Sequence, residues 1–389
     1  MGFFDKIDHD RLLEALGSFP ARDMIRDWLR AGVFEAGKGF APTEEGTPQG
    51  GVISPLLLNV ALHGLEEAAG VRYITSGKRA GDTKAGSPVV IRYADDLVAL
   101  CHSQEQAHQV KARLAEWLAP RGLIFNQEKT SIVHLAREGF DFLGFNARRY
   151  HGKLLIKPSK AAIKRIRRRL AVELRRLRGS NAKAVLATIV PITRGWAAYY
   201  RGVVSKEVFN SLDDYMWKLT YKWGKYSHAN KPRFWVTSRY FGQFNPARQD
   251  RWVFGDRDSG AYLPKFSWTK IVRHHMVPGT ASLDDPDLAQ YWSERRRRNN
   301  PPLGNATLRL LRTQGGRCPL CGDYLLHADG EPQSPREWEQ WLTGTRKAMA
   351  RQSLAAHGYP GTPAGIRLVH VTCQRRRSTA AGNPEQLHT

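Results

Sequence analysis

The clearest periodic pattern in the first third of the chain is an amphipathic helix over residues 103–118. Its apolar face is formed by Val110, Leu114, Trp117 and Leu118. Ser103 followed by Gln106 makes a capping box at the start, and Pro120 and Gly122 are typical of the end of a helix. Short runs that favour strands surround this helix: SPVVIRY, LVALC, TSIVHL and FDFLGF. Residues 1–150 are therefore predicted to be a mixed α and β region.

The pattern changes to helical spacing after Pro158. Residues 160–178, KAAIKRIRRRLAVELRRLR, carry nine basic residues and one acid around an apolar stripe. The stripe consists of Ile163, Ile166, Leu170, Leu174 and Leu177, and Gly179 ends the helix. The charged face is either simply solvated or lies against an anionic partner, since nine like charges repel one another.

The rest of the chain alternates helical and loop-like segments. Residues 185–240 are helical in pattern and rich in aromatic side chains. Residues 241–264 and 278–287 are rich in Gly, Pro and Asp, which indicates loops. The run ERRRRNNPP, residues 294–302, is predicted to link these segments to a last small module.

Charge narrows the class of partner. The chain of 389 residues has 60 Lys and Arg against 36 Asp and Glu, a net charge of +24. Such a field suits a polyanion, and nucleic acid is the first candidate. No apolar run is long enough for a transmembrane helix, so no membrane partner is expected. The start shows no signal-peptide pattern and the cysteines do not suggest a disulfide framework, so the predicted location is cytoplasmic.

Asp95 and Asp96 interrupt the apolar run IRYADDLVAL. Strand-forming residues on both sides predict a hairpin whose two-residue turn is formed by the two aspartates. The pair is either ordinary turn chemistry or a site where carboxylate oxygens bind Mg²⁺. Two such ions would stabilise the attacking and leaving oxygens in nucleotidyl transfer, with help from a further carboxylate.

Two pairs of potential metal ligands lie near the C-terminus. Cys318 and Cys321 form a CxxC pair, and His370 and Cys373 form an HxxC pair about fifty residues later. Four nitrogen and sulfur ligands in two close pairs suit a tetrahedral structural Zn²⁺ site. The alternative is that the thiols are reduced core cysteines.

Several segments resemble, in order, the conserved boxes of group II intron-encoded reverse transcriptases. IRYADD resembles their YxDD box, residues 47–66 the upstream QG box, and residues 122–135 and 140–150 the two boxes that follow. RGWAAYYRG, residues 194–202, resembles the thumb or maturase domain X, and CPLCG resembles the appended HNH endonuclease. The first residues resemble the segment that directly follows the family's first catalytic aspartate.

The resemblance implies roles for individual residues. Asp95 and Asp96 would hold Mg²⁺, and Tyr93 would lie beneath the primer end. The nucleotide and template side would include Phe4, Pro48, Gln49, Gly50 and Lys129. The RNA-binding candidates are Lys164, Arg165, Arg168, Arg169, Arg175, Arg176, Arg194, Trp196, Tyr199, Tyr200 and Arg201. Core packing is an equal interpretation for the aromatic residues among them.

Two departures from the family pattern limit the expected activities. The position of the first catalytic aspartate falls before Met1, so we expect a chain truncated at its N-terminus, without fingers and with impaired polymerase activity. In the HNH-like module the His-His pair is missing, and Gly365, Gln374 and Ser378 stand where metal-supporting residues are expected. We therefore expect a module without nuclease activity that contacts DNA through Arg375, Arg376 and Arg377.

The predicted fold class is α+β: a right-hand polymerase palm fragment, a helical thumb or maturase domain, and a small zinc-binding HNH-like module. The predicted domains are 1–150 (palm), 151–240 (thumb and domain X), 241–300 (DNA-binding region and linker) and 301–389 (zinc module). The predicted function is RNA-directed DNA polymerase and maturase of a group II intron, acting on intron RNA, target DNA and dNTPs. The alternatives are a splicing maturase without catalysis and a decayed remnant.

Overall fold

The structure is a computed structural model that describes residues 6–35, 39–41, 46, 53–76, 79–274, 277, 281–282, 285–298, 301–326, 332–354 and 365–381. The chain divides into two compact units. The first comprises residues 1–142 and 276–282, and the second residues 143–275 and 283–389. Within the described residues, no helix is both long and apolar enough to cross a membrane.

The described part of the first unit combines five α-helices with short strands. Its helices are α1 (His9–Leu16), α2 (Arg22–Arg30), α3 (Ser54–Ala61), α4 (Leu65–Ala69) and α5 (Gln104–Leu118). Its strands are β1 (Val33–Glu35), β2 (Gly39–Ala41), β3 (Val89–Tyr93), β4 (Asp96–Leu100) and β5 (Phe140–Phe142). β1 pairs with β2 and β3 with β4, both antiparallel.

The predicted helix at residues 103–118 is confirmed as α5. The Ser103 hydroxyl accepts a hydrogen bond from the Gln106 backbone N–H at 3.1 Å, so it caps the first turn. The helix buries Val110, Leu114 and Leu118 in a core shared with α1 and α3. Apolar spacing and cap together therefore place this helix on the interior of the unit.

The predicted strand at TSIVHL, residues 130–135, does not form. The Asn126 side chain accepts hydrogen bonds from the backbone N–H groups of Glu128 and Lys129. The carbonyl of His134 accepts bonds from Arg137 and Glu138. Turns on both sides of the segment therefore use these backbone groups in local hydrogen bonds, and three of the six side chains of TSIVHL are exposed.

The second unit begins with a hairpin and continues as a helical bundle. Strands β6 (Phe145–Tyr150) and β7 (Lys153–Pro158) pair antiparallel. They are followed by α6 (Lys160–Arg176), α7 (Ala182–Tyr200), α8 (Lys206–Ser227) and α9 (Arg233–Tyr240). The predicted apolar stripe of α6 buries Ile166, Leu170 and Leu174 against this bundle, and the Ser159 hydroxyl caps its start.

The remaining elements of this unit are shorter. They are β8 (Phe241–Gly242), β9 (Val253–Phe254), α10 (Ala289–Arg298), α11 (Asn305–Thr313), α12 (Pro335–Ala348), β10 (Met349–Leu354), β11 (Gly365–His370) and α13 (Val371–Ala381). The segment 294–302, predicted to be a linker, is helical in its first five residues, which belong to α10. Glu and Arg are good helix formers, and Gln290 donates to Glu294 one turn later at 3.3 Å.

Candidate functional sites

The aspartate pair lies at the tip of the β3–β4 hairpin. Tyr93 pairs with Asp96 across the strands, so the two turn residues are Ala94 and Asp95. The predicted turn is therefore displaced by one residue, because Asp96 already belongs to β4. Ala94 has a φ of 52°, the left-handed region that a type II′ turn needs at its first position.

An arginine holds this tip in place. Arg92 donates from Nη1 to the Ala94 carbonyl at 3.0 Å and from Nη2 to Asn59 Oδ1, on α3, at 2.8 Å. One planar guanidinium therefore connects the turn to a helix of the core, which fixes the orientation of the acids. Neither Arg92 nor Asn59 was among the predicted site residues. Arg92 could have been noticed in the sequence, because it is a charged residue within the apolar run IRYADDLVAL.

The two carboxylates remain accessible to solvent. Asp96 and Tyr93 are exposed and Asp95 is half-buried. Carboxylate oxygens that face water fit the preference of Mg²⁺, which retains several of its waters when it binds protein. Among the described residues, the only group of three or more metal-ligating side chains is elsewhere, at the C-terminal cysteines.

The predicted nucleotide-side residues are described only in part. Phe4, Pro48, Gln49 and Gly50 lie outside the described residues. Lys129 is exposed, and its backbone N–H donates to the Asn126 side chain at 3.2 Å in a tight turn. Its ammonium group can therefore reach an anionic ligand from the surface.

Helix α6 presents most of its predicted cations to solvent. The exposed ones are Lys164, Arg165, Arg168, Arg169, Arg175 and Arg176. Arg167, in contrast, is half-buried: it donates to Ser211 at 2.7 Å and its guanidinium lies over the Tyr215 ring. Arg169 makes an ion pair with Glu339 of α12 at 2.9 Å. The cations of α6 therefore form a basic surface in the folded protein, and Arg169 is paired with an acid of the same chain.

The aromatic residues of RGWAAYYRG belong to the core. Trp196 is 4% and Tyr200 2% exposed, and the two rings pack at a centroid distance of 4.3 Å. The Tyr199 and Tyr200 hydroxyls donate to the backbone carbonyls of Leu143 and Gly144. The rings of Trp196 and Tyr200 therefore have no open face on which a base could stack, and Tyr199 packs half-buried against the same core, which supports the core-packing interpretation.

The two arginines of the same segment are partly covered by the fold. Burial, and then the neighbouring Arg346, lower the pKa of Arg194 to about 10, while Tyr262 acts in the opposite direction. Arg201 is half-buried. The RNA-binding roles predicted for Arg194 and Arg201 stay predictions.

The structure brings together the four predicted zinc ligands. One ligand atom from each of Cys318, Cys321, His370 and Cys373 lies within 4.8 Å of the others. His370 Nδ1 is 3.4 Å from the Cys321 sulfur, and its Nε2 is 3.0 Å from the Tyr324 carbonyl. A carbonyl can only accept, so Nε2 carries the proton and Nδ1 directs its lone pair toward the sulfurs. This donor set fits tetrahedral Zn²⁺.

Local backbone bonds build the cysteine turn. The Cys318 N–H donates to the Asp323 carbonyl, and the Gly322 N–H donates back to the Cys318 carbonyl, both at 2.8 Å. Burial raises the pKa of the Cys318 thiol, but backbone N–H groups, including that of Cys321, outweigh it and give a pKa of about 7. Burial and the neighbouring sulfurs raise the pKa of Cys373 to about 11. One thiolate is thus available near neutral pH to start metal capture.

Comparisons with known proteins agree with the position of both candidate regions. Residues 1–147 match the reverse transcriptase (RNA-dependent DNA polymerase) family. Residues 162–241 match the group II intron, maturase-specific domain. These matches support a reverse transcriptase–maturase. The aspartate tip lies within the reverse transcriptase region, and helices α6 to α9 lie within the maturase region.

Curated relatives match shorter parts of the chain. Protein YkfC of Escherichia coli K12 is 32% identical over 173 residues, which is 36% of this chain and 43% of the relative. The putative COX1/OXI3 intron 1 protein of Saccharomyces cerevisiae is 26% identical over 187 residues, 37% of this chain and 22% of the relative. The group II intron-encoded protein LtrA of Lactococcus lactis subsp. cremoris is 42% identical over 71 residues, 17% and 12% of the two chains. In each case the match covers less than half of the relative's length.

Proposed function

We propose that the protein is an RNA-directed DNA polymerase and maturase of a group II intron, which binds the intron RNA for splicing and for target-primed reverse transcription. The observation that carries this proposal is the accessible aspartate pair at the β3–β4 tip, inside the region that matches reverse transcriptases. The maturase-specific match over the basic helix α6 supports the second role.

In the proposed polymerase site, Asp95 and Asp96 hold Mg²⁺. The bound ion supplies charge stabilisation for nucleotidyl transfer. Arg92 fixes the tip against α3, so the two carboxylates keep one orientation while a primer end lies over Tyr93. Lys129 contacts the phosphates of an incoming dNTP. The nucleotide and template roles of Phe4, Pro48, Gln49 and Gly50 stay predictions, since these residues lie outside the described part of the chain.

A maturase that binds RNA without catalysis is the second candidate. It is favoured by the exposed cations of α6, which need neither Asp95 nor Asp96. Their guanidinium and ammonium groups contact phosphates of the folded intron, and releasing counterions makes the binding sensitive to salt. The decayed remnant remains the third alternative, and it requires that neither splicing nor extension be measurable.

For the C-terminal module we propose structural Zn²⁺ at the four ligands and contact with target DNA through α13. Arg375, Arg376 and Arg377 are exposed on that helix. Gly365 and Gln374 lie in β11 and α13 without side chains suited to hold a second, catalytic metal, so the module binds DNA and does not cut it. Metal-dependent cleavage of target DNA by the full chain would overturn this assignment.

The polymerase and maturase roles are separated by measuring splicing and primer extension on the same purified variants. D95N/D96N is expected to lose any extension while keeping intron splicing. R165Q/R168Q on α6 is expected to weaken intron RNA binding and splicing. The matched control for the first variant is D27N/E116Q, which removes the same charge from exposed acids on α2 and α5. Equal extension by D95N/D96N and D27N/E116Q would contradict the role of the aspartate tip.

A further inference from the structure

Helix α12 rests directly on α7 of the maturase region. A Cβ atom added to Gly195 would lie 2.7 Å from both the Glu339 nitrogen and the Pro335 carbonyl oxygen. The backbones of the two helices therefore meet at a position where only glycine fits without displacing main-chain atoms. Trp338, Leu342 and Thr345 of α12 are buried, which gives this helix a defined inner face.

An ion pair joins the next face of α12 to the basic helix α6. Arg169 Nη2 lies 2.9 and 3.1 Å from the two Glu339 carboxylate oxygens. The Glu339 side chain is only 18% exposed. Burial raises its pKa, Arg169 lowers it, and Glu173 raises it again. Arg169 thus offsets part of the cost of burying this carboxylate.

A basic groove of about 360 Å³ opens beside this ion pair. Its lining includes three cations, Arg169, Arg336 and Lys347, and one acid, Glu339. Gln340 and Thr343 add neutral hydrogen-bonding groups. Arg336 and Lys347 are exposed, one helical repeat of three turns apart on α12. Cations from two helices and polar donors around an open groove suit a chain of negatively charged phosphodiester groups.

We propose that the α6–α12 groove binds the phosphate backbone of nucleic acid, with Glu339 as the internal anion that an incoming phosphate displaces from Arg169. The site is built jointly by the maturase region and a helix located between the two ligand pairs of the metal centre. The inference rests on the proposed role of α6 in RNA binding and extends it to α12. RNA and DNA share the required phosphodiester chemistry.

The test measures binding of intron RNA and, separately, of a target-like DNA duplex by the full-length protein over a range of salt concentrations. R336Q/K347Q is expected to weaken binding on the order of tenfold and to reduce the slope of log K against log salt by about 1.4 to 1.8. E339Q is expected to tighten binding by about threefold, because no carboxylate competes for Arg169.

The matched control is R309Q/R312Q, which removes two exposed cations from α11 outside the groove. The proposal for the groove would be overturned if R336Q/K347Q and R309Q/R312Q lost the same binding affinity. Weaker binding by E339Q would also overturn it. A loss with RNA alone assigns the groove to RNA, and a loss with the duplex alone assigns it to DNA. If R165Q/R168Q weakens RNA binding and R336Q/K347Q does not, the groove fails while the function proposed for α6 stands. If neither variant changes RNA binding, the role of α6 fails as well.

Discussion

The two aspartates do not form the hairpin turn together, because the turn lies one residue earlier than the sequence predicts. Their strand-forming neighbours correctly predict a hairpin, but the turn begins at Ala94 and not at Asp95. Sequence could not place it, because an alanine in the left-handed region is disfavoured by the local backbone and must be held by its surroundings. Here Arg92 supplies that support through the Ala94 carbonyl.

The left-handed alanine leads to a stability prediction. A94G is expected to raise the free energy of unfolding by up to about 1 kcal/mol, because glycine adopts a positive φ at no steric cost. The control A99G, within β4, is expected to lower it by about 0.5 to 1 kcal/mol, because glycine weakens a strand interior. Thermal unfolding of the full chain measures both. A94G destabilising as much as A99G would contradict the turn geometry.

Burial decides which residues of RGWAAYYRG can act at the surface. The segment is basic and aromatic, a pattern equally typical of an RNA-stacking surface and of a helix core. The structure places Trp196 and Tyr200 inside and leaves the cations of α6 outside. The sequence could not distinguish these interpretations, since the contacts that cover α7 come from distant segments of the chain.

The close approach of α12 to Gly195 leads to a prediction about the packing of these helices. G195A is expected to destabilise the packing of α12 on α7 by about 1 to 3 kcal/mol, since the added Cβ meets backbone atoms at 2.7 Å. G344A, on α12 itself, is the matched control, because nothing lies within 4 Å of its added Cβ. Its helix gains about 1 kcal/mol from the better propensity of alanine. Hydrogen exchange of α12 amides reports the difference, and equal protection in both variants would refute the close approach.

Among the secondary-structure elements, hydrophobic periodicity was sufficient to predict the helices α5 and α6, but it was not sufficient for the segment TSIVHL or for the docking of α12. Both helices have a serine cap and an apolar stripe, and both form as predicted. The segment TSIVHL does not form a strand, because backbone groups at its two ends make hydrogen bonds within the flanking turns. The docking of α12 has no local signature, since Gly195 is one small residue in a long helix.

The two metal-ligand pairs bracket α12 in the chain, which gives a prediction for metal removal. In the proposed site, Zn²⁺ would fix the two ends of the segment between the ligand pairs, and without it the free energy of ordering that segment would no longer be offset. Chelation is therefore expected to reduce hydrogen-exchange protection of α12 and of the adjoining part of α7, on the order of tenfold or more. Helix α5, in the other compact unit, serves as the internal control. Unchanged protection of α12 after complete chelation would contradict this coupling.

For the whole molecule, the order of sequence motifs predicted the succession of regions better than hydrophobic periodicity did. The order of the reverse transcriptase and maturase regions follows the predicted order of the boxes. The spacing of CxxC and HxxC predicted the ligand cluster that the structure assembles. The α6–α12 groove could not be predicted, because it depends on the packing of segments about 170 residues apart. The charge of +24 gives the whole surface its preference for polyanions.

In the proposed polymerase site, Asp95 and Asp96 bind a divalent metal at the β3–β4 tip. The most direct measurement loads the zinc-saturated full chain with Fe²⁺ in place of Mg²⁺ and maps where peroxide-generated hydroxyl radicals cut the backbone. We predict cleavage around residues 93–96 that excess Mg²⁺ suppresses, that D95N/D96N abolishes and that D27N/E116Q retains. An uncut tip, or the same cleavage there in D95N/D96N, would contradict the claim.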